Sequence, residues 1–398
     1  MPGPSLTQVI GGPAIVTYRG ATFFSKSDIT LQLAPSLFDI ETDAYGIVDR
    51  RVSAQPIVLS FVPAGEWEEL SVLFAYANSA FGDLITPVRT MGVVVSNVIN
   101  LPKHNLLSGD AVYAKNVGGA LPTGISAATL YYVHVISSDA VTIHTTRALG
   151  ISGASPIAVS NDGTGTNRFV VNNPLTIQTI DPVGGRLITL FNAAITKMPN
   201  INATATATLL DEVTFEAFLV DGSAPSDAAS LYSNISSPYQ GDTTFNPVNI
   251  LTQPIAVSWG STVPWDSFYT KDGVRISFDL ALQNVDIDGY GILSKRISDL
   301  SVSASCTPIG VQASDLMTAL QLQGSGAAIG RSLGQNGNDL ILSATGFYAK
   351  LNQAGLQGGP ELFSRSKDQT GEITFVATRK FTGGVPQPLF VVGTAAIT

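Results

Sequence analysis

Asp43-Ala44-Tyr45-Gly46-Ile47-Val48-Asp49-Arg50-Arg51-Val52-Ser53 returns later in the chain as Asp288-Gly289-Tyr290-Gly291-Ile292-Leu293-Ser294-Lys295-Arg296-Ile297-Ser298, an offset of 245 positions (288 − 43). The same offset carries Lys26 onto Lys271, Glu41 onto Asp286, Pro63 onto Pro308 and Gly65 onto Gly310. Apolar positions follow it, with Ile29, Leu31 and Leu33 falling on Val274, Ile276 and Phe278. A second match, Glu212-Val213-Thr214-Phe215 onto Glu372-Ile373-Thr374-Phe375, runs at an offset of 160 (372 − 212). The first copy therefore holds about 85 residues that the second lacks (245 − 160). The chain reads as two copies of one fold with a small module spliced into the first. Residues 1–92 with 176–240 form one copy, 93–175 the insert and 241–398 the other copy. Internal duplication of this kind builds symmetric objects.

Strand signals dominate both copies. Ala14–Tyr18 and Ile255–Trp259 open them, and Ile29–Leu33 and Val274–Phe278 alternate apolar and polar residues at period two. Val58–Phe61, Val302–Ser305, Leu187–Leu190, Val213–Leu219, Leu340–Leu342 and Ile373–Ala377 read as further strands. One helix is predicted per copy, Glu66–Tyr76 after Pro63-Ala64-Gly65 and Ser314–Leu322 after Pro308-Ile309-Gly310. In the insert, Asp110–Tyr113, Tyr131–Val135 and Val141–Ile143 read as short strands between glycine-rich turns, hence a small all-β module. The fold class expected is all-β with minor helix: two tandem β-sandwich domains, each with one flanking helix, and an inserted β domain.

Composition narrows the role. Charged residues make up 13% of the chain, about half the usual share, and mean hydropathy is positive at +0.26. No uninterrupted apolar run approaches the roughly 18 residues a membrane helix needs, so membrane insertion is not expected. Low charge without a membrane segment points to surface buried against other protein. Met1-Pro2-Gly3-Pro4-Ser5 lacks a basic or apolar leader pattern and reads as an extended arm. The net charge of −9 disfavours tight nucleic-acid binding, although it suits a surface that DNA slides past.

Candidate chemistry is sparse. Asn284-Val285-Asp286-Ile287-Asp288-Gly289 begins like a calcium loop, but the twelfth position is Lys295 where a bidentate glutamate is required, and the first copy places Arg50 there. At period two, Asp39, Glu41 and Asp43 share one strand face, as do Asn284, Asp286 and Asp288. Such acids face water or a basic partner, and Arg50, Arg51, Lys295 and Arg296 are the candidate inter-subunit cations. His104, His134 and His144 all lie in the insert, at spacings that fit neither a zinc site nor a catalytic triad. Cys306, the single cysteine, reads as a buried inert thiol. No catalytic residue, metal site or cofactor is expected, and the chain reads as a non-enzyme.

The second copy, from Trp259 through Ser267-Phe268-Tyr269-Thr270-Lys271-Asp272-Gly273-Val274 to Glu372-Ile373-Thr374-Phe375-Val376-Ala377, resembles the tail tube proteins of long-tailed bacteriophages. The insert is similar to a small β-module common in phage structural proteins. That likeness rests on His104-Asn105-Leu106-Leu107-Ser108-Gly109-Asp110, Leu121-Pro122, Tyr131-Tyr132-Val133 and Gly163-Thr164-Gly165-Thr166. The resemblance implies subunits in rings that stack into a hollow tube through which DNA leaves the capsid without specific binding. A tandem duplicate would reach the six-fold arrangement with three chains, a pseudo-hexameric homotrimer. It also implies tape measure and tail-end proteins as partners, and a place in the virion tail after assembly in the host cytoplasm. Asp39, Glu41, Asp43, Asp286 and Asp288 are then candidates for an acidic lumen wall, or for contacts between subunits. The insert is expected to project outward. Two rivals stand beside this reading: another tail component of related fold, such as a distal tail ring or tube terminator, and a carbohydrate-binding adhesin.

Overall fold

The computed structural model describes the chain apart from residues 1–5, 11–12, 34, 55, 66, 80–84, 86–87, 103, 105, 128, 138, 172–173, 192, 205–207, 219–231, 240–254, 262–263, 288–290, 312–314, 316–337, 358–370, 380, 383–384 and 394–398. The chain begins with a run of strands: β1 (Leu6–Ile10), β2 (Ala14–Tyr18), β3 (Ala21–Ser25), β4 (Ile29–Leu33), β5 (Ser36–Thr42), β6 (Gly46–Ala54), β7 (Ile57–Phe61) and β8 (Pro63–Ala64). Period-two patterning decides which residues turn inward: Val16, Leu31 and Leu59 are fully buried while their neighbours are part-exposed. Arg19 and Gly20 join β2 to β3 with φ of 52° and 76°, the two positive values that a tight two-residue hairpin demands. Pro35 and Pro56, which lack an N–H, separate β4 from β5 and β6 from β7.

The helix predicted over Glu66–Tyr76 is a one-turn α1 (Trp67–Leu70) running into a 3-10 segment, Ser71–Asn78, with Phe74 at non-helical φ −105° and ψ 17°. Trp67, Leu70, Leu73, Phe74, Tyr76 and Ala77 are all buried. A segment with this many buried side chains is shaped by what surrounds it, so packing overrides helical regularity here. Of the second predicted helix, Ser314–Leu322, only Asp315 is described, and it is helical.

Next come β9 (Val88–Thr90), β10 (Val94–Val95), β11 (Val98–Asn100), β12 (Ala111–Val117), β13 (Leu130–Ser137), β14 (Ala140–His144), α2 (Arg147–Ser152) and β15 (Thr166–Val171). They form one seven-stranded sheet, ordered β10-β11-β14-β13-β12-β15-β9. Its hydrophobic cluster is separate and includes Ile99, Val112, Val133, Ile143 and Phe169. The chain enters and leaves by paired neighbours, Phe169 standing opposite Arg89, which lets a module sit inside a host fold. The sheet starts at Val88, before the expected boundary at 93, and Leu175 already belongs to the next sheet. Strand-only expectations missed α2, which Thr146 caps by accepting from the Leu149 N–H and Gly153 ends at φ 72°.

The chain then returns through β16 (Leu175–Thr179), β17 (Arg186–Leu190), β18 (Ala193–Lys197), β19 (Ile201–Ala203), β20 (Thr208–Leu210), β21 (Val213–Ala217) and β22 (Tyr232–Ser236). Two sheets face one another, β1-β4-β7-β21-β18 and β22-β17-β16-β2-β3-β8. Tyr18 meets Phe215 edge-on at 4.9 Å and Phe23 stacks on Phe61 at 5.9 Å across the gap.

The remaining strands are β23 (Ala256–Trp259), β24 (Tyr269–Ile287), β25 (Gly291–Ile309), β26 (Asn338–Ala344), β27 (Phe347–Gln357), β28 (Ile373–Val376), the two-residue β29 (Phe381–Thr382) and β30 (Val385–Pro386), and β31 (Phe390–Gly393). Residues 240–250, where the expected boundary between the copies falls, are outside the described residues. Pairing registers recur between the halves of the chain. Leu31 faces Leu59 on β4 and β7, and Ile276 faces Ala304 on β24 and β25. Phe215 faces Leu59 as Phe375 faces Ala304. Even the irregularities match: the bulge between Ile40 and Glu41 recurs between Val285 and Asp286. Where Pro35 and Pro56 break the first ladder, Leu280 and Ser301 let β24 and β25 each run 19 residues.

One core serves both halves. Trp67 lies 4.9 Å from Phe347, and Phe74 lies 5.0 Å from Phe278 and 5.6 Å from Phe390, so the Trp67–Asn78 segment is wedged between them.

Candidate assembly surfaces

The β5–β6 hairpin carries the repeated acidic and basic motif and stands in solvent, with every residue from Glu41 to Arg50 exposed. Asp39 and Arg50 are directly opposite in the ladder and form an ion pair at 3.0 Å. Arg51 reaches Asp49 at 3.6 Å. Both pairs are substantially exposed, so each contributes about 0–1 kcal/mol and neither fixes the hairpin. Glu41 lies on β5, but Asp43 does not extend its face: it sits in the Asp43–Tyr45 turn beyond Thr42. The expected strand face of three acids is thus corrected to two, because the chain turns one residue too early. Asp288 lies outside the described residues; Asp286 stands on β24 opposite Ile292.

Apolar side chains on this hairpin are bare as well. Tyr45 is 85% exposed, Phe38 62%, Val48 51% and Ile47 47%. The equivalent hairpin at the β24–β25 junction fares differently. Ile292, the counterpart of Ile47, and Leu280 and Leu282 pack against the shared core. Lys295, the counterpart of Arg50, has its backbone carbonyl bound by the Ile85 N–H at 2.9 Å and its ammonium paired with Glu216. Lys295 is therefore engaged inside the chain, between the two halves, and Arg296 beside it is exposed. One hairpin is docked on the other half of the molecule; its twin presents the same kind of surface to solvent. Large exposed apolar side chains concentrated on one hairpin point to an interaction surface.

The insert is fastened by a buried ion pair that sequence reasoning missed. Arg19 donates from Nε to Asp110 Oδ1 at 2.9 Å and from Nη2 to Oδ2, and the Leu107 N–H also donates to Oδ2 at 2.8 Å. Side-chain exposures are 4% and 2%. Burial alone works against the charged guanidinium, and the charge and hydrogen bond of Asp110 outweigh it, raising Arg19 above its ordinary value. Counting from Tyr18 opposite Ala21, the matching place after Trp259 is Gly260, with φ 89°. Arginine at a positive-φ turn position is strained, and it occurs in the copy that has an insert to hold.

The histidines are built into the insert. The Leu106 N–H donates to His104 Nδ1 at 3.0 Å, so Nε2 carries the proton and donates to the Ser137 carbonyl at 2.8 Å. Burial holds His104 below its ordinary value. His134 contacts the Gly150 carbonyl and His144 the Ala154 carbonyl. Cys306 is buried on β25, and burial, aided by the Glu372 charge, pushes its thiol up to about 12, leaving it inert near neutral pH.

No protein-family model matches this chain, and no curated protein matches it.

Proposed function

We propose that this chain is a structural virion protein that joins side by side into rings, and that the rings stack into a hollow tail tube conducting DNA. Three chains would supply six quasi-equivalent positions. The observation that carries the reading is the mismatch between the two hairpins. The second is docked on the first half of the chain, while the first leaves Tyr45, Phe38, Val48 and Ile47 bare. A matching seat on a neighbouring chain would complete the set, and closure would remove the exposed edges. Repetition of register across the two halves supports the same geometry, since quasi-equivalent contacts need matching backbones.

Tape measure and tail-end proteins would then be the partners, and the virion tail the location. Exposed Glu41 and Asp43 suit a wall that repels the duplex and keeps it mobile. Projection images of the purified protein are expected to show rings and hollow rods. Scattered globular particles at every concentration would overturn the proposal, and capped single rings alone would favour a tube terminator or distal ring. A three-dimensional map of the rods would place Asp43 on the axial wall or, against this assignment, at a contact between rings.

A further inference from the structure

The outer edges of β4 and β24 are equivalent, yet they are covered differently. On β24 the edge seats the β19–β20 hairpin from the other half of the chain, with Ile201 opposite Ile276 and Ala203 opposite Val274. On β4 the same edge is taken by the chain's own β1, with Gln8 opposite Leu31 and Ile10 opposite Ile29. Leu31 and Ile29 are the counterparts of Ile276 and Val274. Both covering strands run antiparallel, so they occupy one site in one geometry. An edge that receives another repeat in one half is covered by five residues of local chain in the other.

We infer that β1 is an intrachain cap over the edge where a second copy of this chain joins, and that it leaves β4 when that copy docks. The inference rests on the side-by-side association proposed above. The incoming element is identified by register. Leu356 faces Phe375 as Ile195 faces Phe215, so the Gln357 end of β27 stands where β18 leads into β19. A second copy would bring that end of β27 to β4 as β18 leads the β19–β20 hairpin onto β24; residues 358–370, which follow it, lie outside the described residues. A short edge strand paired on one side only, among the described residues, gives up few hydrogen bonds when replaced by a strand that brings its own sheet. Meanwhile the cap shields a strand edge that would otherwise recruit partners indiscriminately.

The test is a reversible lock. Thr7 and Gln32 are opposite in the ladder, and the buried Cys306 is the only native thiol. A Thr7→Cys, Gln32→Cys chain is oxidised, bond formation is checked by thiol titration, and assembly is followed by light scattering and sedimentation. The oxidised chain is expected to remain monomeric and to assemble like wild type once reduced. A chain lacking residues 2–10 is expected to assemble at a concentration at least about tenfold lower, since the 1.4 kcal/mol equivalent to tenfold is a modest share of a five-residue strand's pairing. Equal assembly of oxidised and reduced chains would overturn the cap while leaving the tube proposal intact. Failure of the truncated chain where wild type assembles would also overturn it, by making β1 a contact element. If neither wild-type nor truncated chain associates, side-by-side joining itself fails, and the cap with it.

Discussion

Asp110→Asn is expected to destabilise the protein by about 3–5 kcal/mol, the usual loss when one member of a buried ion pair is removed and the other charge stays buried. Arg19 cannot shed its proton, its guanidinium is almost wholly enclosed, and Asp110 is the carboxylate that both its Nε and Nη2 engage. Asparagine keeps the shape and one acceptor, so the loss is electrostatic rather than one of packing. Denaturant unfolding would measure it. Pairing the change with Arg19→Gly, the residue found at the matching position 260, should recover most of the loss. The same logic governs excision of the insert: a chain in which the module is replaced by a short Gly/Asn turn should fold better with Arg19→Gly than with arginine retained. A loss below about 1 kcal/mol for Asp110→Asn would mean the joint is wet and the insert only loosely held.

Phe74→Ala should cost a similar amount, about 3–5 kcal/mol, through the cavity it leaves. The consequence that matters is where the loss appears. Phe74 belongs to the first half by sequence, but its ring contacts are Phe278 and Phe390 of the second. A shared core predicts one cooperative transition that shifts as a whole, read by hydrogen exchange at both β7 and β28. Loss of protection confined to β7, with β28 unchanged, would show the halves to be independent domains.

Much of this was legible because repetition fixes register. The offset from Asp43 to Asp288 predicts that Leu31 and Ile276 find equivalent partners, and they do. Strand signals located β2, β4, β7 and β21, and the period-two alternation of Ile29–Leu33 is there for the plain reason that one face of β4 meets the core. Pro35 and Pro56 went unread as breaks in the ladder, and their replacement by Leu280 and Ser301 accounts for two short strands becoming one long one. Other features depend on contacts distant in sequence. Arg19 and Asp110 are 91 residues apart, and no local pattern joins them. The Trp67–Asn78 segment has helical spacing over part of its length, but its kink at Phe74 comes from packing between the halves, which periodicity cannot show. For the assembly surface, the motif itself was visible, whereas its division into a docked hairpin and a bare one was not. Lys295 and Arg50 look alike in sequence; only the fold puts the buried Glu216 of the other half beside one and the part-exposed Asp39 of its own hairpin beside the other.

The central claim is that each chain fills two equivalent places in a ring. Native mass measurement of an isolated ring tests it most directly. The account predicts three copies of the 41.6 kDa chain in each closed ring. A ring of six full-length chains would contradict it.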